Sequence, residues 1–297
     1  MFDSPKRISS RDVLLLACIM GGAVLLFRHL AQGLNYNWDW TVIPGYIARF
    51  DPASGDWRAG MLTRGLYVTL RLSLWSILLA LLAGTVMGIW RVSPRPLLRM
   101  ISGSYVGLVR NVPPLVLIFI FYFFLGDQIM QATGITELSY SLDDSTSPVL
   151  STLFGPMEQL PAFLSGVLTM ALFEGAYIAE IVRAGIESID REQWEASAAL
   201  GFTRRNQLIH IILPQAFSRS LPPLAGQFIS TIKDSSIVSV ISIQELTFAG
   251  QELMSATYRT FEIWSLVILL YFILTFPCSI IVRELEKRMN SHKGHHH

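Results

Sequence analysis

The chain has 297 residues, of which 52% are hydrophobic and only 15% are charged, and its mean hydropathy is +0.45. Soluble globular proteins carry about 25% charged residues, so this composition excludes an ordinary soluble fold and indicates a protein of the lipid bilayer. The net charge of +1 excludes a nucleic-acid-binding or other polyanion-binding protein as the default interpretation. Cys18 and Cys278 both lie in apolar runs, which excludes a secreted disulfide framework.

Six apolar segments are each long enough to cross the ~30 Å hydrocarbon core of a bilayer as a helix. In chain order they are residues 13–34, 66–90, 105–125, 160–182, 216–241 and 261–282. The first follows Lys6, Arg7 and Arg11, as a signal peptide would. It is long for a signal peptide and no Ala-x-Ala cleavage site follows it, so we expect a retained anchor helix. The predicted fold class is an all-α integral membrane protein with six transmembrane helices.

Lysine and arginine are concentrated on one side of the predicted spans, in residues 1–12, 91–104 and 183–219 and in the tail after 282. The cations assigned to the other side are Arg49, Arg58, Arg64 and Arg259. The positive-inside rule therefore predicts that both termini are cytoplasmic. The segment 126–160 is then a periplasmic insertion, and its charged residues are all acidic: Asp127, Glu137, Asp143, Asp144 and Glu158.

The longest predicted cytoplasmic connection, residues 188–214, has the pattern of two short helices outside the bilayer. Asp190 and Thr203 are of the residue types that cap helix N-termini, and Gly201 supplies the backbone freedom that ends a helix. Pro214 is expected to stop the second helix before the next span. The sequence therefore predicts two capped helices joined at a glycine turn.

This 188–214 knob, as we name the segment, carries one predicted apolar stripe. Trp194, Ala198 and Phe202 are spaced i, i+4 and i+8, which places them on one helix face. Small residues beside the stripe would let a partner protein approach closely. The alternative is an interfacial helix that lies on lipid headgroups, and the helix pattern alone leaves both interpretations open.

Four ordered motifs resemble the permease subunits of bacterial ABC importers for polar amino acids. Glu195 and Ala196, followed by Gly201 and then by Ile211, Leu213 and Pro214, resemble the Glu-Ala-Ala loop of that family. The other motifs are Arg-Asn-Val-Pro-Pro-Leu at 110–115, Ala-Glu-Ile-Val-Arg at 179–183 and Lys-Asp-Ser-Ser at 233–236. The Arg-Asn-Val-Pro sequence at 110–113 is most similar to the glutamate/aspartate branch of the family. The resemblance covers roughly residues 66–288.

The resemblance implies a five-helix type I ABC importer core at residues 66–282. Residues 1–60 would add an N-terminal anchor helix and a periplasmic segment, and residues 283–297 a cytoplasmic tail whose last three histidines are typical of a purification tag. The implied location is the bacterial inner membrane. The implied activity is the import of polar amino acids, acidic ones or their relatives, into the cytoplasm.

The resemblance also implies the partners of the chain. Glu195, Ala196, Ser197 and Gly201 would couple it to separate ABC ATPase subunits, which would bind ATP and Mg²⁺, while this chain would bind no cofactor. A second permease subunit, identical or related, and a periplasmic amino-acid-binding protein would complete the importer. The chain departs from the family pattern where Glu192-Gln193 replaces Gly-Gln and where Ser197 is the third residue of the motif. Both changes are expected on an exposed face, where docking would be intact.

The chain lacks the motifs of an enzyme. A nucleotide-binding P-loop needs glycine immediately before its lysine, and the lysines here follow Pro5, Ile232, Glu286 and His292. Neither His29 nor His210 has a metal-binding partner at i+4, and no Gly-x-Ser-x-Gly elbow occurs. We therefore predict no catalytic residues and no metal site.

Charged residues inside predicted spans are costly and are candidates for function. The most polar mid-span stretch surrounds Lys233 and Asp234, which point about 100° apart on a helix and cannot satisfy each other. With Gln227 and Ser235 they are predicted to line the translocation path, and a polar seam between helices is the alternative.

Five further residues complete the candidate set. Arg71 either faces the path or extends to the membrane surface, and Arg110 beside Pro113 is assigned a structural or gating role. Glu180 is a path candidate that can also pair with Arg183 at i+3, and the structural pair is favoured.

Two other classes of protein are weighed against the importer. An ion-gradient-driven secondary transporter usually has inverted repeats, and no repeat is visible here. A non-transporting assembly subunit would leave Lys233 and Asp234 unexplained.

The orientation yields the first testable prediction. A cysteine introduced at Ser145 should react with a membrane-impermeant maleimide from the periplasm only, and a cysteine at Ser9 from the cytoplasm only, because the positive-inside rule separates them. Labelling of both from the same side would contradict the six-span topology.

Overall fold

The computed structural model describes residues 10–33, 36–52, 55–142 and 148–293. Apart from one β-hairpin, the regular structure of these residues is helical, which confirms the predicted fold class. The chain forms two compact units, Met1–Thr41 and Val42–His297. Several residues used above lie outside the described ranges: Ser9, Leu34, Asp143, Asp144, Ser145 and the three terminal histidines.

The first unit contains one long helix, α1 (Ser10–Gly33). Large apolar side chains are exposed along it, among them Val13, Leu16 and Leu25. Such a surface is typical of a helix that contacts lipid or another apolar partner. The helix therefore agrees with the first predicted span as far as Gly33.

The second unit begins with a short helix and a hairpin, followed by helices of very different lengths. Its helices and strands are α2 (Ile43–Ile47), β1 (Ala48–Asp51), β2 (Asp56–Ala59), α3 (Met61–Arg91), α4 (Pro96–Asn111), α5 (Pro114–Ile120), α6 (Asp127–Ala132), α7 (Ile135–Ser141), α8 (Pro148–Phe154), α9 (Leu160–Glu187), α10 (Arg191–Ala199), α11 (Arg204–Gln207), α12 (Leu213–Asp234), α13 (Leu246–Thr257) and α14 (Thr260–Lys293). Two π-helical turns, Phe121–Gly126 and Leu208–Ile212, continue the helices on either side of them. A 3₁₀ helix, Ser235–Ile241, follows α12.

Four described segments are long and apolar enough to cross a membrane. They are Met61–Arg91, Pro114–Ala132, Met157–Glu187 and Thr260–Glu284. They contain or overlap the second, third, fourth and sixth predicted spans. The predicted spans 13–34 and 216–241 are not among the four, so the count of six stays a prediction.

The third predicted span, 105–125, is wrong in its bounds. Helix α4 ends at Asn111, and a new helix begins at Pro114 and extends to Ala132, seven residues into the predicted insertion. Val112 and Pro113 are extended, because a residue that precedes proline is disfavoured in the helical region. The two prolines therefore divide what the apolar pattern joined into one helix.

The prediction that Pro214 stops a helix is also wrong. Pro214 lies in the first turn of α12, where a missing N–H costs little, and the π-helical turn before it keeps the helix continuous. Pro222 and Pro223 lie inside the same helix. Helix α12 ends at Asp234, so the predicted mid-span pair lies where an α-helix changes to a 3₁₀ helix.

Helices α3 and α9 pack closely because small residues line the contact between them. A Cβ atom added to Gly84 would lie 2.7 Å from the carbonyl oxygen of Gly175, and one added to Gly88 would lie 2.6 Å from Cβ of Val182. Glycines at such contacts let two helix backbones approach each other. The contact is continued by a buried core that includes Ile77, Ala80, Ile178, Val182 and Ile186.

The α3–α9 contact gives the second testable prediction. Gly88→Leu should lower the free energy of unfolding by roughly 1–3 kcal/mol, the usual cost of overpacking a core, and should lower the unfolding temperature in mild detergent. Gly107→Leu is the matched control, since nothing lies within 4 Å of a Cβ at Gly107. Equal unfolding temperatures for the two variants would contradict the close packing.

Candidate functional site

The 188–214 knob follows directly from the end of α9 and is attached to α12 by an arginine. Arg219 donates to the carbonyl oxygen of Ser188, and its Nη2 lies 3.4 Å from Oδ2 of Asp190. Asp190 occupies the N-cap position of α10, but its side chain makes no capping hydrogen bond, so that prediction is wrong. The reason is competition, because the ion pair with Arg219 uses the carboxylate.

The turn between the two knob helices is as predicted. Gly201 has φ +83°, a left-handed conformation that favours glycine. Thr203 caps α11, since its Oγ1 accepts from the backbone N–H of Asn206 at 3.4 Å. The backbone N–H of Phe202 donates to the carbonyl oxygen of Ser197 at 3.2 Å and closes the turn.

The predicted stripe of Trp194, Ala198 and Phe202 is wrong, because the inward face of α10 is formed by Trp194 and Ser197. Trp194 packs against the apolar core, and the Arg204 guanidinium lies 4.0 Å from its ring centroid. Ser197 is 2% exposed, and its Oγ donates to the carbonyl oxygen of Trp194 at 2.9 Å. Ala198 is exposed. The replacement at Ser197 is therefore not on an exposed face, as expected above, but under the helix.

The outward face of the knob is formed by Glu195, Ala196 and the residues on either side of Gly201. Leu200 is 76% exposed and Phe202 is 39% exposed. Glu195 is exposed, and among the residues that the structure describes its ion pair is with Arg191 of the same helix, with its Oε1 2.8 Å from Nε of Arg191. The tip of the knob thus presents apolar side chains and one carboxylate on a rigid base.

Beside the knob, one carboxylate holds three helices together. Glu180 of α9 contacts Arg183 at 3.0 Å, Arg91 of α3 at 3.5 Å and Arg110 of α4 at 3.7 Å. Arg183 also pairs with Glu187. The predicted Glu180–Arg183 pair is confirmed, while the structural or gating role of Arg110 stays a prediction. We call this group the Glu180 cluster.

A second polar group lies deeper between α9 and α12. Glu174 is completely buried, and its Oε2 accepts from Nε2 of Gln227 at 2.6 Å. Its other oxygen, Oε1, makes no hydrogen bond within the described part of the chain. The Asp234 carboxyl is its neighbour, and Lys233 next to Asp234 is exposed. We call these four residues the Glu174 cluster.

Gln227, Lys233 and Asp234 of this site are predicted from the sequence, but Glu174 is not. A carboxylate in the middle of a predicted span is itself a signal of function and could have identified it. Ser235 is buried, and its hydroxyl donates to the carbonyl oxygen of Ile232 at 2.8 Å, so it stabilises the end of α12.

Arg71 is not brought together with either cluster. Its Nη1 lies 3.3 Å from the carbonyl oxygen of Ser151 and 3.5 Å from that of Thr152, in the last turns of α8. A cation is favourable at a helix C-terminus because free carbonyl groups collect there. Trp75, which lies on α3 as Arg71 does, donates to the carbonyl oxygen of Leu153 at 3.2 Å. Arg71 therefore attaches the 126–160 segment to α3.

Among the described residues no group of three or more His, Cys, Asp or Glu side chains could hold a metal ion. The chemistry available at the two clusters is the binding of charged and polar groups. Pro113 has no ligand-binding group, and its contribution is the extended link between α4 and α5.

Residues 76–291 match the family described as "Binding-protein-dependent transport system inner membrane component". A probable glutamine ABC transporter permease protein of Bacillus subtilis is 32% identical over 225 residues, which cover 76% of this chain and 91% of that one. The glutamine transport system permease protein of Escherichia coli is 44% identical over 131 residues, 44% of this chain and 60% of that one.

A solved structure is also similar. A chain in the "Crystal structure of an amino acid ABC transporter with histidines" superposes with a TM-score of 0.64 and 28% sequence identity, covering 85% of this chain and 100% of that chain. The match confirms the type I ABC importer permease fold.

These matches confirm the resemblance to permeases of polar amino-acid ABC importers, while the glutamate/aspartate branch is not specified by them. Proteins of this kind are transport components of the inner membrane, and ATP hydrolysis belongs to a separate subunit. Together with the apolar spans, the matches make this a multi-pass membrane protein. The chain belongs to the inner membrane components of binding-protein-dependent transport systems, as a permease of an amino-acid ABC importer.

Proposed function

We propose that the 188–214 knob is the surface through which a separate ABC ATPase, with its bound ATP and Mg²⁺, drives transport by this permease. The observation that carries the proposal is the exposed tip of the knob. Leu200 and Phe202 are apolar and accessible although the residues beneath them are buried or paired. An exposed apolar group with a polar rim is typical of a protein-binding surface.

The attachment of the knob supports a mechanical role. Helix α9 runs from Leu160 to Glu187, and a link of three residues, 188–190, connects it to α10 of the knob. Arg219 of α12 donates to the carbonyl oxygen of Ser188 and so joins this link to α12. A force on the knob would therefore act on α9 and α12 together. These two helices carry the Glu174 cluster, so the proposed ATPase surface and the proposed path share the same rigid elements.

We propose that the Glu174 cluster lines the translocation path and binds polar α-amino acids. The buried Oε1 of Glu174 and the Asp234 carboxyl are acceptors for an α-ammonium group, and the exposed Lys233 is a partner for an α-carboxylate. The names of the relatives support glutamine as cargo. Acidic amino acids, predicted from the Arg-Asn-Val-Pro motif, are the second candidate class of substrate. Whether unlabelled glutamate inhibits the uptake of labelled glutamine distinguishes the two.

The remaining partners follow from the same proposal. A second permease subunit, identical or related, would cover the exposed Lys233 side of α12. A periplasmic amino-acid-binding protein would deliver the substrate. The proposed orientation places both termini and the knob in the cytoplasm, as the distribution of lysine and arginine predicts.

The third prediction tests the knob by charge exchange. Glu195→Arg should weaken association with the ATPase by about tenfold, the effect of losing one important interface residue, and ATP-driven uptake should fall with it. The double variant Arg191→Glu/Glu195→Arg restores the ion pair within α10 in reversed order. If Glu195 binds the ATPase, the double variant should be as defective as the single one.

Association is measured by copurification of the ATPase with equal amounts of membrane-inserted permease. The control is Glu158→Arg, the same change at an exposed residue far outside the knob. Full recovery in the double variant would show that Glu195 only stabilises its helix. Wild-type association in Glu195→Arg would remove the residue from the interface altogether.

The fourth prediction concerns Lys233. Lys233→Met should lower uptake per assembled complex by about tenfold, because a charge-assisted hydrogen bond to the substrate carboxylate is lost. Lys233→Arg should lower it less, since the charge is kept while the geometry changes. Uptake of radiolabelled amino acid is divided by the amount of intact complex.

Lys287→Met is the matched control, because Lys287 is exposed near the end of α14 and outside both clusters. Reduced assembly of Lys233→Met with unchanged uptake per complex would indicate a polar seam between subunits instead of a path.

A further inference from the structure

A cavity of about 890 Å³ lies in the second unit, away from both clusters and the knob. The hairpin β1–β2, the first turn of α3 and helix α13 enclose it. Arg49, Arg58 and Arg64 line it together with Asp51 and Glu252. These are three of the four cations that the sequence assigns to the outer side of the membrane. Cations are scarce on that side, and three of them line this one cavity.

The hairpin register places like charges opposite each other. Arg49 pairs across the strands with Arg58, and Asp51 pairs with Asp56 on the same face, so each cross-strand pair has like charges and the two arginines lie beside two carboxylates. Asp51 contacts Arg58 at 3.0 Å. Arg64 uses its Nε for the carbonyl oxygen of Ala59 at 3.0 Å. Within the described ranges no carboxylate lies within 4.0 Å of the guanidinium of Arg49 or Arg64, which leaves donors at the cavity for an added anion.

The opposite face of the hairpin is aromatic. Phe50 pairs with Trp57 across the strands, with ring centroids 5.6 Å apart, and the two are 48% and 72% exposed. Exposed tryptophan and other aromatic rings favour the headgroup level of a bilayer. Strand β2 ends at Ala59, two residues before the apolar helix that starts at Met61. The hairpin therefore lies at the membrane surface.

Gly60 fixes the hairpin in this position. Its backbone N–H donates to the carbonyl oxygen of Ile47 at 2.7 Å, and a Cβ atom at Gly60 would collide with the carbonyl oxygen of Tyr46. The strands are thus held against the start of α3, with the arginine face toward the cavity and the aromatic face away from it.

We propose that this cavity binds the phosphate headgroup of an anionic phospholipid, held by Arg49, Arg58 and Arg64, while Phe50 and Trp57 lie among neighbouring lipids. Guanidinium groups match phosphate through paired N–H donors. Basic pockets beside membrane helices bind lipid headgroups, and the volume is within the range of small-ligand sites. The site is independent of the proposed coupling and transport.

The test titrates the purified full-length permease complex in detergent with phosphatidylglycerol and, separately, with phosphatidylcholine, and counts bound lipids by native mass spectrometry. Wild type should prefer phosphatidylglycerol. Arg49→Gln and Arg64→Gln should each weaken that binding by about fivefold, the usual effect of one arginine at an anionic membrane. Binding of phosphatidylcholine should not change.

A change of the opposite sign provides the matched control. Glu252→Gln removes a negative charge from the same cavity and should strengthen phosphatidylglycerol binding severalfold. Arg205→Gln, at an exposed residue of α11, should leave it unchanged. If the arginine variants unfold, the Glu252→Gln variant still decides, because an unchanged affinity there contradicts the proposal.

Three results would overturn the proposal. The first is wild-type phosphatidylglycerol binding in the Arg49→Gln/Arg64→Gln double variant. The second is displacement of the lipid by millimolar inorganic phosphate, which would identify free phosphate as the ligand. The third is unchanged lipid binding with lost capture of a periplasmic amino-acid-binding protein, which would make the cavity a protein-docking surface.

Discussion

Gly84 and Gly88 let α3 lie directly against α9, and the remaining arrangement depends on this contact. Helix α9 carries the Glu174 cluster, the Glu180 cluster and the attachment of the knob. Without hydrophobic driving force inside a bilayer, helices associate through close packing and polar contacts. The small residues allow the close packing. The polar contact comes from Ser76, whose side-chain hydroxyl donates to the carbonyl oxygen of Val167 at 3.3 Å.

The Glu180 cluster adds an electrostatic constraint to this packing. One carboxylate that faces three arginines from α3, α4 and α9 keeps the ends of these helices together. An unpaired charge of either sign at this site would destabilise the folded protein. The knob begins only eight residues after Glu180, so its base is attached to three helices rather than one. Under the proposed function, a force on this short segment would act on all three helices.

Local patterns in the sequence predicted much of this arrangement. The Gly201 turn, the Thr203 cap and the Glu180–Arg183 pair each depend on residues within four positions of one another, where helix geometry is sufficient. The apolar runs located the four long apolar helices for the same reason. The bounds of the third span were missed because hydrophobicity outweighed the effect of two prolines.

The features that were missed depend on residues distant in the chain. The cap at Asp190 fails because Arg219 takes its carboxylate. The stripe on α10 is rotated because Arg204 and the core cover Trp194. Arg71 was expected to face the path or to extend to the membrane surface, yet α8 supplies its acceptors. Tertiary partners of this kind leave no trace in the local pattern, and the same holds for the cavity formed by the hairpin and α13.

The central claim is that this permease is driven by ATP through a separate subunit. Its most direct test is uptake of radiolabelled glutamine into proteoliposomes that contain the permease complex, the ATPase and a binding protein. The account predicts that uptake requires ATP and the binding protein and that ionophores leave it unchanged. Uptake driven by an ion gradient in the absence of ATP would contradict it.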